Sequence, residues 1–215
     1  MFLTVFGQKG GVAKTCTSIH LACVWAQQGL SVCVVDADRN RSATAYAARG
    51  MLSFEVVPVE AAAKATRHAQ VIITDGQASC HEDELKNLSA GADLVLLPTT
   101  PQARSVELTV ELASTLTRMD IMHAALLVKV DSRKQRVAQE ARQILEGFDL
   151  DVMQAEIPLL AAFEKAEVEG VSVSNAVDDR GRADLRRMGG WEAYCQAAVQ
   201  IRDRLSAATP DVISA

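Results

Sequence analysis

Aromatic residues are scarce in this chain: 4% of its 215 residues are Phe, Trp or Tyr, although 49% are hydrophobic. A core of that composition must be aliphatic, the Val/Leu/Ile/Ala filling of buried parallel strands. No apolar run reaches the length of a membrane-spanning helix. Strand-like residues begin at Phe2 and leave no room for a signal peptide, so a cytoplasmic location is expected. Paired Cys-x-x-Cys motifs are missing too. The five cysteines, Cys16, Cys23, Cys33, Cys80 and Cys195, are scattered and odd in number, which reads as reduced thiols, not a disulfide framework or a metal knuckle. There is no basic excess: the net charge is −5, so nucleic-acid binding needs a local patch. Repeats, low-complexity tracts and linkers are absent, and one domain over residues 1–205 with a short tail over 206–215 is expected.

What is present is an alternation of short β-rich runs with longer helical stretches. Phe2–Phe6, Val32–Asp36, Phe54–Val57, Val71–Asp75, Leu94–Leu97, Ala125–Val130 and Val152–Glu156 read as strands. Helical spacing is clearest over Val106–Leu116 and Val137–Leu145. Such alternation predicts an α/β, doubly wound, mostly parallel sheet with helices on both faces, binding ligands at the carboxyl ends of its strands.

The run Gly7-Gln8-Lys9-Gly10-Gly11-Val12-Ala13-Lys14-Thr15 follows the first strand and opens a helix over Thr15–Gln28. Backbone N–H groups at a glycine-rich strand-to-helix turn wrap a phosphate, aided by the positive end of the helix. Lys14 then reaches the outer phosphates and the Thr15 hydroxyl binds Mg²⁺. Gln8 and Ala13 stand where an ordinary phosphate loop has glycine, and Lys9 is a second lysine that such a loop does not need. A tight turn that binds nothing would need neither lysine.

Lys9-Gly10-Gly11-Val12-Ala13-Lys14-Thr15 resembles the deviant Walker A motif of the ParA/MinD family of ATPases. The resemblance spans Phe2 to about Leu205 and is closest to short ParA-type partition ATPases. It implies ATP and Mg²⁺ as ligands, with residues 9–16 (Lys9 to Cys16) around the phosphates. It also implies a homodimer formed on ATP binding, in which Lys9 reaches the partner's nucleotide. The iron–sulphur members of this class carry paired cysteines, which this chain lacks.

Val32–Asp36 ends in Asp36-Ala37-Asp38-Arg39-Asn40. Asp36 at the strand tip can help hold Mg²⁺ through water, and Asp38 beyond it can point at an attacking water; the alternative is helix capping by Asp38 or Asn40. The resemblance supports the catalytic split and makes Lys9, Lys14 and Asp38 the catalytic set. The family usually continues with Pro-Gln or Pro-Asn, where this chain has Arg39-Asn40. Asp75 closes the apolar run Val71–Asp75 as a second metal-side carboxylate, followed by Gly76-Gln77, a glycine suited to a loop that changes shape. Glu82, Asp83 and Glu84 read as helix-start acids, with Ser79 and Glu82 a capping box, in preference to a metal cluster. Leu97-Pro98-Thr99-Thr100-Pro101 resembles the family's loop beside the nucleotide. The resemblance also implies that the segment holding Pro158 and Leu159 lies along the adenine, reading the base through backbone groups. His20 is read as a structural histidine.

Two segments run against the acidic average. Lys129–Arg136 holds four basic residues and one acid, and Asp178–Arg187 holds four arginines and three aspartates. Either alone reads as a solvated helix face. In an ATP-bound dimer, Arg133, Lys134, Arg136, Arg182, Arg186 and Arg187 are the candidates for contacting double-stranded DNA without sequence preference. The expected function is a ParA-type ATPase that partitions or positions a plasmid, chromosome region or other cargo. Hydrolysis is slow and stimulated by a ParB-like or other adaptor, and the ATP-bound form sits on the nucleoid. The alternatives are a MinD-like membrane-cycling regulator and a metabolic or assembly enzyme on the same scaffold. The stretch after Leu205 has no basic or aromatic residue for a membrane, and no second-substrate domain is evident.

Overall fold

The computed structural model describes residues 1–78, 82–177, 180–182 and 186–208. Strands β1 (Phe2–Val5), β2 (Val32–Asp36), β3 (Glu55–Pro58), β4 (Val71–Asp75), β5 (Leu94–Thr99), β6 (His123–Val130) and β7 (Val152–Pro158) form one parallel sheet in the order β3-β2-β4-β1-β5-β6-β7. Between and after them run α1 (Lys14–Gln27), α2 (Ser42–Ala47), α3 (Val59–Ala65), α4 (Glu82–Ser89), α5 (Ala103–Arg118), α6 (Gln135–Gly147), α7 (Ala161–Glu169) and α8 (Arg186–Ala208). The fold is the doubly wound α/β architecture that the alternation predicts.

Side-chain alternation along the central strands builds the two layers. Leu94, Leu96, Leu126 and Val128 pack with residues of α1 and α8, such as Ile19 and Tyr194. Their neighbours Val95, Leu97, Ala125 and Leu127 pack on the other face with Val106 and Leu112 of α5 and Ala138 of α6. Each fully buried Leu or Ile in these layers contributes about 1.5–3 kcal/mol. Helix α1 packs on the sheet and against α8, and every residue from Thr17 to Trp25 is buried. That explains why its sequence has no polar face.

The strands differ from the sequence reading mainly at their ends. β5 runs through Pro98 to Thr99, although proline is disfavoured inside a sheet. Val95 N–H donates to Met122 on the β6 side and Leu96 accepts from Phe6 on the β1 side, so alternate residues face alternate neighbours. The Pro98 nitrogen therefore faces β1 beyond its end at Val5, where no ladder bond is lost. The expected domain limit at Leu205 falls inside α8, because Leu205 packs against the core and the helix continues to Ala208. Residues 209–215 of the expected tail lie outside the described residues, as do Ser79 and the side chains of Glu82, Asp83 and Glu84.

Candidate nucleotide site

From β1 the sheet extends to β4, β2 and β3 on one side and to β5, β6 and β7 on the other, so a crevice opens at its carboxyl end. The loop 7–13 crosses this end. Gly11 has φ +77°, and Ala13 also sits in the left-handed region at φ +58°, at a position where ordinary phosphate loops carry glycine. The loop thus keeps a glycine-like turn at Ala13 despite its Cβ, at a cost of roughly 1–2 kcal/mol. Gly76, after β4, answers to packing: a Cβ there would lie 2.9 Å from the Phe6 ring and 3.0 Å from the Val5 carbonyl. Close approach of β1 and β4 requires this glycine whether or not the loop moves.

Lys14 is buried, and its Nζ donates to the Lys9 carbonyl at 3.2 Å. Burial pushes its pKa down, while the charges of Asp75 and Asp38 push it back up. Asp75 is fully buried; its two oxygens accept from the hydroxyls of Thr15 at 2.7 Å and Ser18 at 2.9 Å. Burial raises its pKa to about 7, with the nearby Asp36 charge adding to the rise; the two hydroxyl bonds and Lys14 oppose it. Ser18 is a site residue that the motif reading missed, although three residues beyond Thr15 on α1 it shares a face with it.

Asp36 is more committed than a simple metal-side carboxylate. One oxygen accepts from the Asp38 N–H at 3.2 Å; the other accepts from the Thr44 N–H at 2.8 Å and the Thr44 hydroxyl at 2.7 Å. It caps the start of α2, the role that the sequence offered to Asp38 or Asn40. Asp38 Oδ1 accepts from the Asn40 N–H at 2.8 Å, an Asx turn, and the side chain borders the cavity described below. Among the described residues, no cluster of three His, Cys, Asp or Glu side chains could hold a metal. This donor set fits Mg²⁺, which keeps several waters and takes one or two carboxylates plus phosphate oxygens. Thr15 and Asp75 would hold it from the loop side, and Asp36 could reach it only through water.

A cavity of about 380 Å³ brings these pieces together with distant ones. Gly10, Gly11, Ala13, Lys14, Thr15 and Cys16 line it on one side, Asp38 and Asn40 on a second, and Ile157, Pro158 and Leu159 on a third. Two loop residues expected at the nucleotide do not line it. Val12 is buried and packs towards Gly7, and Lys9 stands outside the cavity, half-buried. Lys129, Phe163, Glu167 and Tyr194 also line it, and no motif pointed to them. Lys129 owes its place to a slip between the pairs Leu127–Glu156 and Val130–Pro158, which puts one extra residue on β6, and to its own φ of +55°.

Beneath the cavity floor, His20 is wholly buried. Its Nδ1 donates to the Cys16 carbonyl at 2.7 Å, and its Nε2 accepts from the Val173 N–H at 3.0 Å. Burial pushes its pKa down to about 4, so the ring stays neutral. It stacks on Tyr194, whose hydroxyl lies 3.2 Å from that of Thr17. These contacts give it the structural role that its sequence position suggests. Burial likewise pushes the Cys16 thiol up to about 12.

The six basic candidates are only partly gathered. Arg133 and Arg186 border one groove of about 980 Å³, which joins the two basic segments, but Asp131, Glu156 and Glu192 share that groove. Arg133 is held by both oxygens of Asp131, and Arg136 pairs with Glu140 at 2.8 Å. Arg187 is turned inward to the Ala176 carbonyl. Lys134, Arg182 and Arg186 are exposed. No described helix is long and apolar enough to cross a membrane.

The chain belongs to the CobQ/CobB/MinD/ParA nucleotide binding domain family, whose model matches residues 3–173. It is 29% identical over 198 residues to the Maintenance of carboxysome distribution protein A of Gloeobacter kilaueensis, covering 86% of this chain and 91% of that protein. In fold it is similar to the MinD cell division protein of Aquifex aeolicus, with a TM-score of 0.72 at 15% identity over 94% of this chain and 96% of that one. A plasmid partition protein of Borrelia burgdorferi, bound to AMPPNP, superposes with a TM-score of 0.70 at 16% identity over 93% and 98% of the two chains.

Proposed function

We propose that this protein is a ParA-type ATPase that uses ATP and Mg²⁺ as a timing switch to position a cargo. One observation carries the reading: a single cavity collects Gly10, Gly11 and the run Ala13–Cys16 with Asp38 and the Pro158–Leu159 segment. In this arrangement the loop amides and Lys14 hold the phosphates, Thr15 and Asp75 hold the metal, and Asp38 orients the attacking water. The base lies toward Pro158 and Leu159. Such chemistry is almost entirely positioning and charge stabilisation. Mg²⁺ held by Thr15 and Asp75 would neutralise charge developing on the phosphates. The 29% identity to a carboxysome-distribution protein, over most of both chains, favours positioning over metabolism.

Lys9 completes the switch. It stands outside the cavity of its own chain, with no ion pair among the described residues, so its charge is available to a partner's phosphates. ATP then drives a homodimer and hydrolysis by way of Asp38 splits it, with an adaptor protein setting the pace. The dimer doubles the exposed cations at the Arg133–Arg186 groove, and its hold on duplex DNA falls steeply with salt because each phosphate contact releases counterions. Light scattering and gel shifts on unrelated duplexes test this pair of steps. ATP, and not ADP, should give a dimer that shifts DNA at low salt, while Lys9→Ala binds nucleotide but stays monomeric and leaves DNA unshifted. DNA binding that is equal with ATP, ADP and no nucleotide, or absent at low salt, would remove DNA from the switch.

A further inference from the structure

Asp38 acts only if the loop that carries it is held over the phosphates, and that loop has no proline to stiffen it: Arg39 and Asn40 follow Asp38, and Arg41 closes it. We infer that Arg41 is a positioning residue for Asp38, its guanidinium tying the base of the loop at Asp36 to Glu60 on α3. This rests on the reading of Asp38 as the water-orienting carboxylate.

Arg41 is an unexpected residue at its place. Its backbone is left-handed, φ +54° and ψ +39°, a conformation that suits glycine or asparagine and costs a long L side chain energy. Such strain persists where surrounding bonds over-determine it, and here they do. The Arg41 N–H donates to the Asp38 carbonyl at 2.9 Å, which closes the turn. One guanidinium nitrogen, Nη1, donates to the Asp36 carbonyl at 2.9 Å. The other, Nη2, donates to both Glu60 oxygens at 2.9 and 3.1 Å.

Strand register explains why Glu60 is within reach. Asp36 pairs with Pro58 across β2 and β3, so the first turn of α3 starts beside the loop that leaves β2. The Arg41–Glu60 pair is solvent-exposed, 40% and 72% by side chain, and such a pair adds little to stability. Its effect is geometric. With the Asp36 carbonyl and Glu60 both engaged, the guanidinium fork fixes where the Asp36–Arg41 loop crosses the sheet end. A lysine, with one ammonium group, cannot reproduce that fork.

The test separates turnover from affinity. Arg41→Asn keeps a residue tolerant of the left-handed backbone but removes both tethers. It should bind a non-hydrolysable ATP analogue within about twofold of wild type, because the Gly10–Cys16 loop is untouched, yet lower single-turnover hydrolysis about tenfold or more. Arg41→Lys should recover part of that loss. Glu60→Ala, which cuts only the outer tether and leaves the strained backbone alone, should fall between Arg41→Asn and wild type. Wild-type turnover in Arg41→Asn, or equal proportional losses of affinity and turnover, would overturn the inference. Asp38→Ala is measured beside them. If it hydrolyses ATP at the wild-type rate, both the inference and the reading beneath it fail; if it is inactive while Arg41→Asn is not, the inference alone fails.

Discussion

Lys14→Ala is expected to abolish nucleotide binding at concentrations that saturate the wild type. The side chain is a buried cation whose Nζ meets a backbone carbonyl at 3.2 Å, while its charge is balanced by Asp75 and Asp38. A phosphate is a stronger partner than a carbonyl, because both groups are charged and the bond shortens. Removing one member of a buried, charge-assisted pair costs about 2–5 kcal/mol, or roughly thirtyfold to several-thousandfold in Kd. The fold should survive, since Asp75 keeps its bonds from Thr15 and Ser18. Fluorescent-ATP titration reads the loss, with circular dichroism to check folding. Unchanged affinity in a folded variant would move the phosphates away from this loop.

Asp38→Ala should separate binding from chemistry. Asp38 lines the cavity but lies outside the loop proposed to wrap the phosphates. Its side chain accepts the Asn40 N–H, a bond that stays within its own turn. Losing it should therefore change ATP affinity by no more than about threefold, the pattern of an interaction made only in the transition state. Turnover should fall about a hundredfold or more, the scale of a positioned acid–base or water-orienting group. Radiolabelled single-turnover assays measure this directly. Wild-type hydrolysis in the variant would leave Asp38 as a turn-former only.

The layers and the strand-to-helix loop over residues 7–13 were legible because both are local. β2 and β4 end where their aliphatic runs meet Asp36 and Asp75, and the lysines and glycines of the loop all fall between Gly7 and Lys14. Pro98 hid the last residues of β5, since a proline rule read along the chain cannot know that β1 ends at Val5. Ser18 was legible in principle, one helical turn from Thr15. Lys129 was not: its place on the wall depends on a register slip between strands that no single segment encodes. Tyr194 and Phe163 come from helices whose docking on the sheet is a tertiary fact. Charge counting along the chain also does not show the pairing: Asp131 holds Arg133, and Glu140, outside the counted segment, holds Arg136.

The most direct measurement is an amide proton–nitrogen spectrum of the wild-type protein titrated with MgATP. Phosphate contact should move the backbone amides of Gly10, Gly11, Ala13, Lys14, Thr15 and Cys16 first and furthest, with Asp38 and Leu159 following because they line the same cavity. The shifts should saturate with ATP and be lost in Lys14→Ala. Shifts that leave these amides in place and gather instead at the groove between Arg133 and Arg186, or no shifts at all, would contradict the nucleotide site.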